Sequence, residues 1–471
     1  MLNPNMNELS HAKQLISESK FKEAIDVINE LENKNGLTLQ NRLEIHHLKS
    51  SLLLELGYMN SAIKYIEIAY KESKKLKNKF QIIDVLLTKS HILKMNDKQN
   101  EALRAINEAE QILSTIKQIS SKEFKEKKAH LALQKSGYYF NVGDFDQSLN
   151  YCTEGFTIAE EIKNKNLMML ANRTFAFNYY YKGDIDRAYE YNKYRLELAK
   201  EINDKQEIIG VFNSIGMYLT EKGDFNQALD HLEQGLSLCN EINSFKTIII
   251  LCSLFDLYFY RNSLEKAQEC LNSMKQFMEH HPEYKASNIF YDLAKAMMLK
   301  KDTQKISHLK AKEILKKLID KKSPFSGIYY PALIHLCDVY LTISCETNDL
   351  KILDEIDPYL NQLKNNAKTQ QSFWLLIEAH LLQAKLKLIT FEFREAKNLL
   401  SQALDVAEKY GQDRLIRRIT DVQDELSKDF IKWEKLKASG ATISARMNLA
   451  HIDEQIEILL QKRRYLKDIN V

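Results

Sequence analysis

The sequence predicts an all-α protein, built as a right-handed α-solenoid of about ten stacked helical hairpins with a C-terminal capping helix. Three observations lead to this prediction. The 471 residues include only 13 glycines and 5 prolines, too few for the many turns of a sandwich, a barrel or a doubly wound sheet. No proline lies between Pro4 and Pro282. A short Gly-Asp motif recurs every 40 residues, a regularity that is typical of solenoids.

The repeated motif predicts the turn inside each hairpin. Its copies are Gly143-Asp144-Phe145, Gly183-Asp184-Ile185 and Gly223-Asp224-Phe225. Gly223 can adopt the left-handed conformation that ends a helix, and Asp224 can then cap the next helix. Gln227 stands where it can close a capping-box-like pair with Asp224. Each repeat is therefore predicted to be two helices joined by a tight turn.

A small residue early in each second helix lets the two helices of a hairpin approach closely. This marker recurs at intervals of 38 to 46 residues. Its copies are Ala24, Ala62, Ala102, Ser148, Ala188, Ala228 and Ala267, followed more loosely by Ala311, a position near Leu353, and Ala396. We expect four segments: N-terminal repeats over 1–120, regular repeats over 121–281, degenerate helical repeats over 282–426, and a C-terminal helix within 427–471. In the degenerate segment, Pro324 and Pro331 are expected to bracket a Ser-Gly turn.

The last segment departs from the repeat. A final helix is predicted from about Ile443 to Lys467, with apolar residues such as Leu449 and Ile456 at alternating spacings of four and three. A solenoid needs a cap with one polar face, so a capping helix is the first interpretation. A dimerising coiled coil is the second. The chain is therefore expected to be a monomer, or a homodimer formed through this helix.

The copy around Gly223 resembles the tetratricopeptide repeat. The family's Leu-Gly, Gly, Tyr, Ala and Leu positions are occupied here by Ile215-Gly216, Gly223, Phe225, Ala228 and Leu236. The proline that closes many family repeats is replaced by Asn240. The period is that of the long-repeat subgroup found in kinesin light chains, G-protein-signalling adaptors and bacterial peptide-sensing regulators. This resemblance implies that the first helix of each hairpin lines a concave groove that binds a protein or peptide.

Charge and composition restrict the location and the partners. The 67 basic and 64 acidic residues give a net charge of +3, so no nucleic-acid partner is expected. The most apolar stretch, Thr247 to Tyr260, is too short to span a bilayer and contains Asp256, so no membrane span is predicted. Six scattered cysteines and a polar N-terminus without a secretory signal favour a reducing compartment. We therefore expect a cytoplasmic protein.

Catalytic signatures are lacking in the sequence. It contains no Gly-rich phosphate loop, no H-E-x-x-H and no G-x-S-x-G motif. The pairs His46-His47 and His280-His281 cannot each chelate one metal, because adjacent helical residues point in different directions. The chain is therefore expected not to be an enzyme and to have no metal or cofactor.

The candidate partner site is a stripe on the first helices of three repeats. Aromatic and arginine side chains on a rigid concave surface suit the anchoring of an extended peptide. The predicted groove residues are Arg173, Phe177, Tyr180, Tyr181, Asn213, Met217, Thr220, Asp256 and Tyr260. The alternative is that these aromatic rings pack neighbouring repeats. The expected function is a non-catalytic scaffold that binds a peptide or protein segment in the groove. The alternative function is that of a peptide-responsive regulator, whose superhelix changes when the ligand binds.

Overall fold

The computed structural model consists of α-helices joined by short turns. It describes residues 4–456 apart from 19, 97, 143, 183, 243, 283, 285, 303, 321–325, 370–372, 410–412 and 455. Within these residues there is no β-strand, and the chain is an all-α solenoid.

The helices of the first part of the chain form seven consecutive hairpins, each pairing an odd-numbered helix with the next even-numbered one. They are α1 (Pro4–Ser17), α2 (Phe21–Glu32), α3 (Leu39–Glu55), α4 (Met59–Leu76), α5 (Lys79–Met95), α6 (Gln99–Ser114), α7 (Lys122–Val142), α8 (Phe145–Glu161), α9 (Lys165–Tyr181), α10 (Ile185–Glu201), α11 (Lys205–Lys222), α12 (Phe225–Glu241), α13 (Thr247–Tyr260) and α14 (Leu264–His280).

Three more hairpins follow, so the described residues contain ten, which confirms the predicted number. They are formed by α15 (Ala286–Lys301) and α16 (Lys305–Asp320), by α17 (Ser326–Thr347) with α18 (Lys351–Asp354) and α19 (Asp357–Thr369), and by α20 (Phe373–Ile389) and α21 (Phe393–Lys409). The last described helices are α22 (Asp413–Lys428), α23 (Phe430–Ala438) and α24 (Ile443–Leu449).

The turn between α11 and α12 has the predicted chemistry. Gly223 has a φ of 85°, the left-handed conformation that a side chain would strain. Asp224 caps α12 by accepting from the Gln227 backbone N–H at 3.4 Å. In return, the Gln227 side-chain amide donates to the Asp224 carboxylate at 2.7 Å. In a capping box this second bond would instead reach the Asp224 backbone N–H. The glycines predicted for the other two copies, Gly143 and Gly183, lie outside the described residues.

Close contact between the two helices of this hairpin depends on Gly216. A Cβ atom at Gly216 would lie 2.5 Å from Cγ of Leu232, nearer than real Cβ contacts come. Ala228, the small residue early in α12, is completely buried. The small residues of the repeat therefore set how closely α11 and α12 pack.

The chain divides into two compact units. The first comprises the described residues of Met1–Phe140 and Phe145–Tyr291, and the second comprises those of Asn141–Asp144 and Asp292–Asn470. The four-segment division expected from the sequence stays a prediction.

An aromatic contact closes the first unit on itself. The ring of Phe21 in α2 lies 5.2 Å from that of Phe245, which precedes α13. Phe245 in turn contacts Tyr284, whose ring stacks at 6.0 Å on Phe277 of α14. Phe21, Phe245 and Tyr284 belong to one hydrophobic cluster with buried residues of α1, α2 and α3, and Phe277 packs against it. We call Phe21, Phe245, Phe277 and Tyr284 the closure cluster, because it joins the first hairpin to the seventh.

The second unit differs from the sequence prediction at its prolines. The Ser-Gly turn expected before Pro331 is wrong, since α17 begins at Ser326 and contains Pro331. The proline stands in the second turn of the helix. Because proline has no N–H, it leaves one backbone carbonyl without an intrahelical partner, and that carbonyl belongs to the first turn of the helix. Pro324 lies outside the described residues. Pro358 stands at the second residue of α19, where the lack of an N–H costs little.

The short helix α24 packs within the second unit against α17 and α20, and its capping role stays a prediction. The Asn348 side-chain carbonyl accepts from the backbone N–H of Ile443 at 3.1 Å, and the Arg446 guanidinium lies 4.4 Å from the ring centre of Phe391. The long helix predicted from Ile443 is wrong in its described part, because α24 ends at Leu449. The chain then turns at His451, which has a φ of 49°. Most of the predicted span beyond this turn lies outside the described residues.

All six cysteines are free, and five of them are buried. Within the part of the chain that the structure describes, no helix is both long and apolar enough to cross a bilayer.

Candidate functional site

The first helices of consecutive hairpins in the first unit form one wall, and polar side chains join neighbouring helices. His47 of α3 lies 2.8 Å from the Thr88 hydroxyl of α5. Lys94 of α5 donates to the Gln134 side-chain carbonyl of α7 at 2.7 Å. Further along, Ser253 of α13 donates to the Asn213 side-chain carbonyl of α11 at 2.8 Å. We call helices α3, α5, α7, α9, α11 and α13 the inner wall.

Charged side chains from distant parts of the inner wall influence one another electrostatically. Glu55, at the end of α3, is solvent-exposed, yet the surrounding protein raises the pKa of its carboxyl group. The charges of Lys246 and Arg173 oppose this effect. Although two hairpins separate α3 from α9, charges on these two helices therefore influence each other. We call the part of the inner wall that carries these groups the recess and define it by Glu55, Lys94, Arg173, Arg195, Glu207 and Lys246.

The recess contains one buried ion pair. Arg195 of α10 is 3% exposed, and its Nε lies 2.6 Å from Oε1 of Glu207 in α11. Burial raises the pKa of Glu207, but the adjacent Arg195 outweighs burial and lowers this pKa to about 2. Glu207 therefore stays ionised at neutral pH and compensates the charge of Arg195.

Three further cations of the recess have no such partner. Lys94, only 8% exposed, bonds to the neutral Gln134 amide, and Lys246 donates to the Gln206 backbone carbonyl at 3.2 Å. Among the described residues, no carboxylate lies within ion-pair distance of Lys94, Arg173 or Lys246. Burial, with a smaller effect from Arg173, lowers the pKa of Lys94 to about 7. The recess therefore holds more positive charge than its carboxylates balance.

Two histidines next to these cations are neutral at physiological pH. Burial, together with the charges of Lys94 and Arg173, lowers the pKa of His91 to about 3. Burial lowers the pKa of His130, on the neighbouring α7, to about 4. Neither histidine therefore adds positive charge to the recess.

Gly210 in α11 lies where two of the cations converge. A Cβ atom at this position would lie 3.4 Å from Nη2 of Arg195 and 3.6 Å from Nζ of Lys246. The absence of a side chain leaves room beside both cationic groups.

The predicted groove residues divide into buried and partly exposed groups. Arg173, Thr220 and Asp256 are partly exposed. Phe177, Tyr180, Asn213 and Met217 are buried. The side chains of Tyr181 and Tyr260 lie outside what the structure describes. The two groups lie on the same helices, but only Arg173 is among the charged groups that face the recess.

The buried aromatic rings pack neighbouring hairpins. Tyr180 of α9 stacks on Tyr218 of α11 with ring centres 4.8 Å apart, and Phe177 lies 6.2 Å from Phe140 of α7. In this structure these rings hold the wall together.

Lys94, Arg195, Lys246 and Glu55 were missed by sequence reasoning. The repeat does carry a signal for Lys94. Lys94 precedes the small residue Ala102 by eight residues, the same spacing that separates the predicted groove residue Tyr180 from Ala188. Arg195 lies on a second helix, whereas the predicted stripe follows only first helices. Glu55 and Lys246 carry no local signal, since the closure of the unit brings them together.

The side chains of His46 and His47 point to different helices, as predicted for adjacent helical residues. His46 bonds to Glu72 of α4 at 2.7 Å, whereas its neighbour His47 faces Thr88 on α5. Among the described residues, no group of three histidine, cysteine, aspartate or glutamate side chains is placed to hold a metal ion.

Comparisons with known proteins identify solved structures of similar fold. A search of curated proteins found no match. One similar solved structure is a Rap protein complexed with competence and sporulation factor, 13% identical, covering 78% of this chain and 98% of that chain with a TM-score of 0.51. Aspartyl phosphate phosphatase F from Bacillus subtilis is 12% identical over 79% of this chain and 96% of that chain, with a TM-score of 0.45. The Rap conjugation gene regulator of plasmid pLS20 in complex with the Phr* peptide is 12% identical over 68% of this chain and 97% of that chain, again at 0.45.

The family model described as the MalT-like TPR region matches residues 94–418, more than half of the chain. This match agrees with the ten hairpins, the capped turn after Gly223 and the close helix contact at Gly216. The chain therefore belongs to the MalT-like tetratricopeptide-repeat family.

Proposed function

We propose that this protein is a non-catalytic scaffold that binds a peptide or protein segment in the recess of its first unit. Repeat folds of this kind present a rigid inner surface to extended partners. The Rap protein of similar fold was solved in complex with competence and sporulation factor. The partner that this fold suits best is a polypeptide segment.

The observation that carries the proposal is the closure of the first unit, in which Phe21 of α2 contacts Phe245 before α13 so that the first helices form a curved inner wall. Glu55 on this wall is exposed, yet the surrounding protein raises the pKa of its carboxyl group, which supports a concave surface there. The neighbouring charged groups come from α5, α9, α11 and the turn before α13. A concavity lined by charged groups from several repeats offers separated contacts along an extended chain.

Panning a random-peptide library against the full chain tests the proposal, with isothermal titration calorimetry on the selected peptides. Thr220, partly exposed on α11, precedes Ala228 by the same eight residues that separate Lys94 from Ala102. Thr220→Trp should fill the inner surface and abolish binding, whereas Asp230→Trp on the exposed side of α12 should not. Full binding by Thr220→Trp, or the selection of no peptide at all, would contradict the proposal.

The second candidate function is that of a peptide-responsive regulator. It is favoured by the closure cluster, because a few aromatic contacts join the first hairpin to the seventh. A ligand that binds better when these contacts are open would shift the unit towards the open form. Small-angle scattering with and without a selected peptide tests this function, and an unchanged profile would eliminate it.

A further inference from the structure

We propose that residues 443–452 are an internal ligand of the second unit, and that they cover a second binding surface for a partner polypeptide. This surface is the face of α17 and α20 on which the segment lies. The partner is a short helical segment of another protein that carries an arginine beside an apolar side chain. The inference concerns the second unit alone and does not depend on the recess of the first.

The first argument is the position of α24. A cap covers the outer side of the last hairpin. In the second unit α22 packs against α21, and the buried Trp433 of α23 contacts Phe391 and Phe393 at the turn between α20 and α21. Helix α24 instead contacts α17 and α20, the first helices of two successive hairpins. It therefore lies across the helices on which this fold is expected to bind partners.

The second argument is the register of Lys385 in α20. Lys385 precedes the small residue Ala396 by eleven residues, the same spacing that separates the predicted groove residue Asp256 from Ala267. The Lys385 side chain is 6% exposed, and its ammonium group donates to the backbone carbonyl of His451 at 3.0 Å. The segment after α24 therefore occupies a groove position of the second unit.

The third argument concerns the contacts that hold the segment. The Arg446 guanidinium donates to the backbone carbonyl of Ile389 at 3.2 Å and lies over the ring of Phe391. Ile389 is the last residue of α20, so its carbonyl has no partner within that helix. Beside this contact, the Cys345 thiol lies 3.1 Å from the sulfur of Met447. A partner segment that replaces α24 needs the same arginine and the same apolar neighbour.

The fourth argument is that α24 can leave without unfolding the rest of the unit. The helix has seven residues, too few to be stable alone, so it forms because of the surface on which it lies. It is joined to α23 through the exposed Ser439 and Gly440, and no atom lies within 4 Å of the position that a Cβ atom of Gly440 would take. This exposed connection lets the segment detach while Trp433 holds α23 in place.

Cys345 provides the measurement of release. It is the one cysteine that is not buried, and Met447 covers it. The full chain is labelled with a maleimide, and mass spectrometry identifies the labelled residue. Arg446→Ala should accelerate the labelling of Cys345 by about tenfold, because it removes a charged hydrogen bond and the contact with Phe391.

A second variant releases the segment without changing its sequence. Asn348→Gly removes the acceptor for the backbone N–H of Ile443, and glycine tolerates the φ of 51° at this position. It should also accelerate the labelling of Cys345. Arg417→Ala is the matched control, because Arg417 is an exposed arginine of α22 in the same unit, and it should leave the labelling rate unchanged.

The synthetic peptide of residues 440–456 tests the surface itself. Added to the Arg446→Ala chain, it should occupy the vacated surface and slow the labelling of Cys345 by about tenfold. The same peptide with alanine in place of Arg446 should have no effect. The wild-type chain should respond far more weakly, because its own tethered segment competes.

Cys337, buried on the same helix as Cys345, distinguishes release from unfolding. Labelling of both cysteines in Arg446→Ala would show that α24 is a structural cap and would overturn the inference. Unchanged labelling of Cys345 in both releasing variants, or a peptide without effect, would also overturn it. Protection of Cys345 that grows with protein concentration would assign the surface to a second copy of the chain and not to a different partner. None of these outcomes tests peptide binding in the recess, so the proposed function stands or fails separately.

Discussion

Phe21 and Phe245 lie in contact, with ring centres 5.2 Å apart, although five hairpins separate them in the sequence. This contact turns the first unit from an open array of hairpins into one that closes on itself. Within the closed unit, charged groups from α3, α9 and the turn before α13 influence one another. The proposed binding of a polypeptide segment depends on this closure.

We predict that Phe245→Ala opens the closure of the first unit. The ring is 8% exposed and contacts both Phe21 and Tyr284, so its removal should lower the free energy of unfolding by about 3 kcal/mol. Urea unfolding measures this loss, and small-angle scattering should show a larger radius of gyration.

Phe140→Ala is the control for this prediction. Phe140 is similarly buried and contacts Phe145 and Phe177, away from the closure cluster. The Phe140→Ala variant should lower the free energy of unfolding by a similar amount without changing the radius of gyration. An unchanged radius for Phe245→Ala would show that the aromatic contact does not maintain the closure.

A second prediction concerns the glycines of α11. Gly216→Ala should destabilise the protein by about 1–3 kcal/mol, because the new methyl group would collide with Leu232. Gly210→Ala is the matched control on the same helix, since its nearest neighbour would be 3.4 Å away. That variant should be neutral, or more stable by up to about 1 kcal/mol, because alanine favours the helix. Urea midpoints in the opposite order would contradict the packing described for α11 and α12.

The third prediction is a pH dependence of stability caused by Lys94. The folded protein lowers the pKa of Lys94 from an ordinary 10.5 to about 7, so the unfolded chain binds more protons between these values. Lys94 therefore lowers the free energy of unfolding near pH 7. This unfavourable effect becomes smaller as the pH rises, so the free energy of unfolding should increase by about 2 kcal/mol between pH 7 and pH 9.

Lys94→Met should remove this dependence. The Gln134 carbonyl retains Ser90 as a donor at 3.3 Å, so the variant should fold and should be more stable than the wild type at pH 7. The quantity to compare is the slope of unfolding free energy against pH in the two proteins. Identical slopes would mean that Lys94 is solvated and does not lie in the confined position described.

The fourth prediction concerns the buried pair of Arg195 and Glu207. Glu207→Gln leaves the Arg195 cation buried without a counter-charge and should cost about 3 kcal/mol at neutral pH. The folded pKa of Glu207 is about 2, below the ordinary 4.5, so its stabilising effect is present above pH 4.5 and is lost as the pH falls towards 2. The difference in free energy of unfolding between wild type and Glu207→Gln, measured by urea unfolding, should become smaller as the pH falls from 4.5 to 2.

The double variant Arg195→Met, Glu207→Gln separates the pair from other effects. Because it removes both charges, it should recover most of the stability that Glu207→Gln loses. Equal instability of the single and double variants would show that packing, and not charge compensation, explains the loss.

The repeat architecture could be predicted because its determinants are local. Gly223 and Asp224 encode the end of one helix and the cap of the next, and both act as predicted. The small residues Gly216 and Ala228 set the close contact within the hairpin. Interactions over four to twenty residues carry this information, so one sequence is enough to reveal it.

The candidate site was harder to predict because closure and burial decide it. Periodicity indicates that Phe177 and Tyr180 lie on a helix face, but it does not distinguish a face that packs the next hairpin from one that meets a partner. The structure buries both rings, while Arg173 keeps access to the recess. The approach of Glu55 to Lys246 follows from the curvature of six hairpins, which no local pattern encodes.

Site-specific photo-crosslinking tests the central claim most directly. A benzophenone side chain at position 220, on the inner wall, is compared with one at position 230, on the exposed face of α12 in the same hairpin. With a selected peptide bound, the account predicts a covalent adduct from position 220 and none from position 230. Adducts from position 230 alone would place the partner on the outer surface and contradict the account.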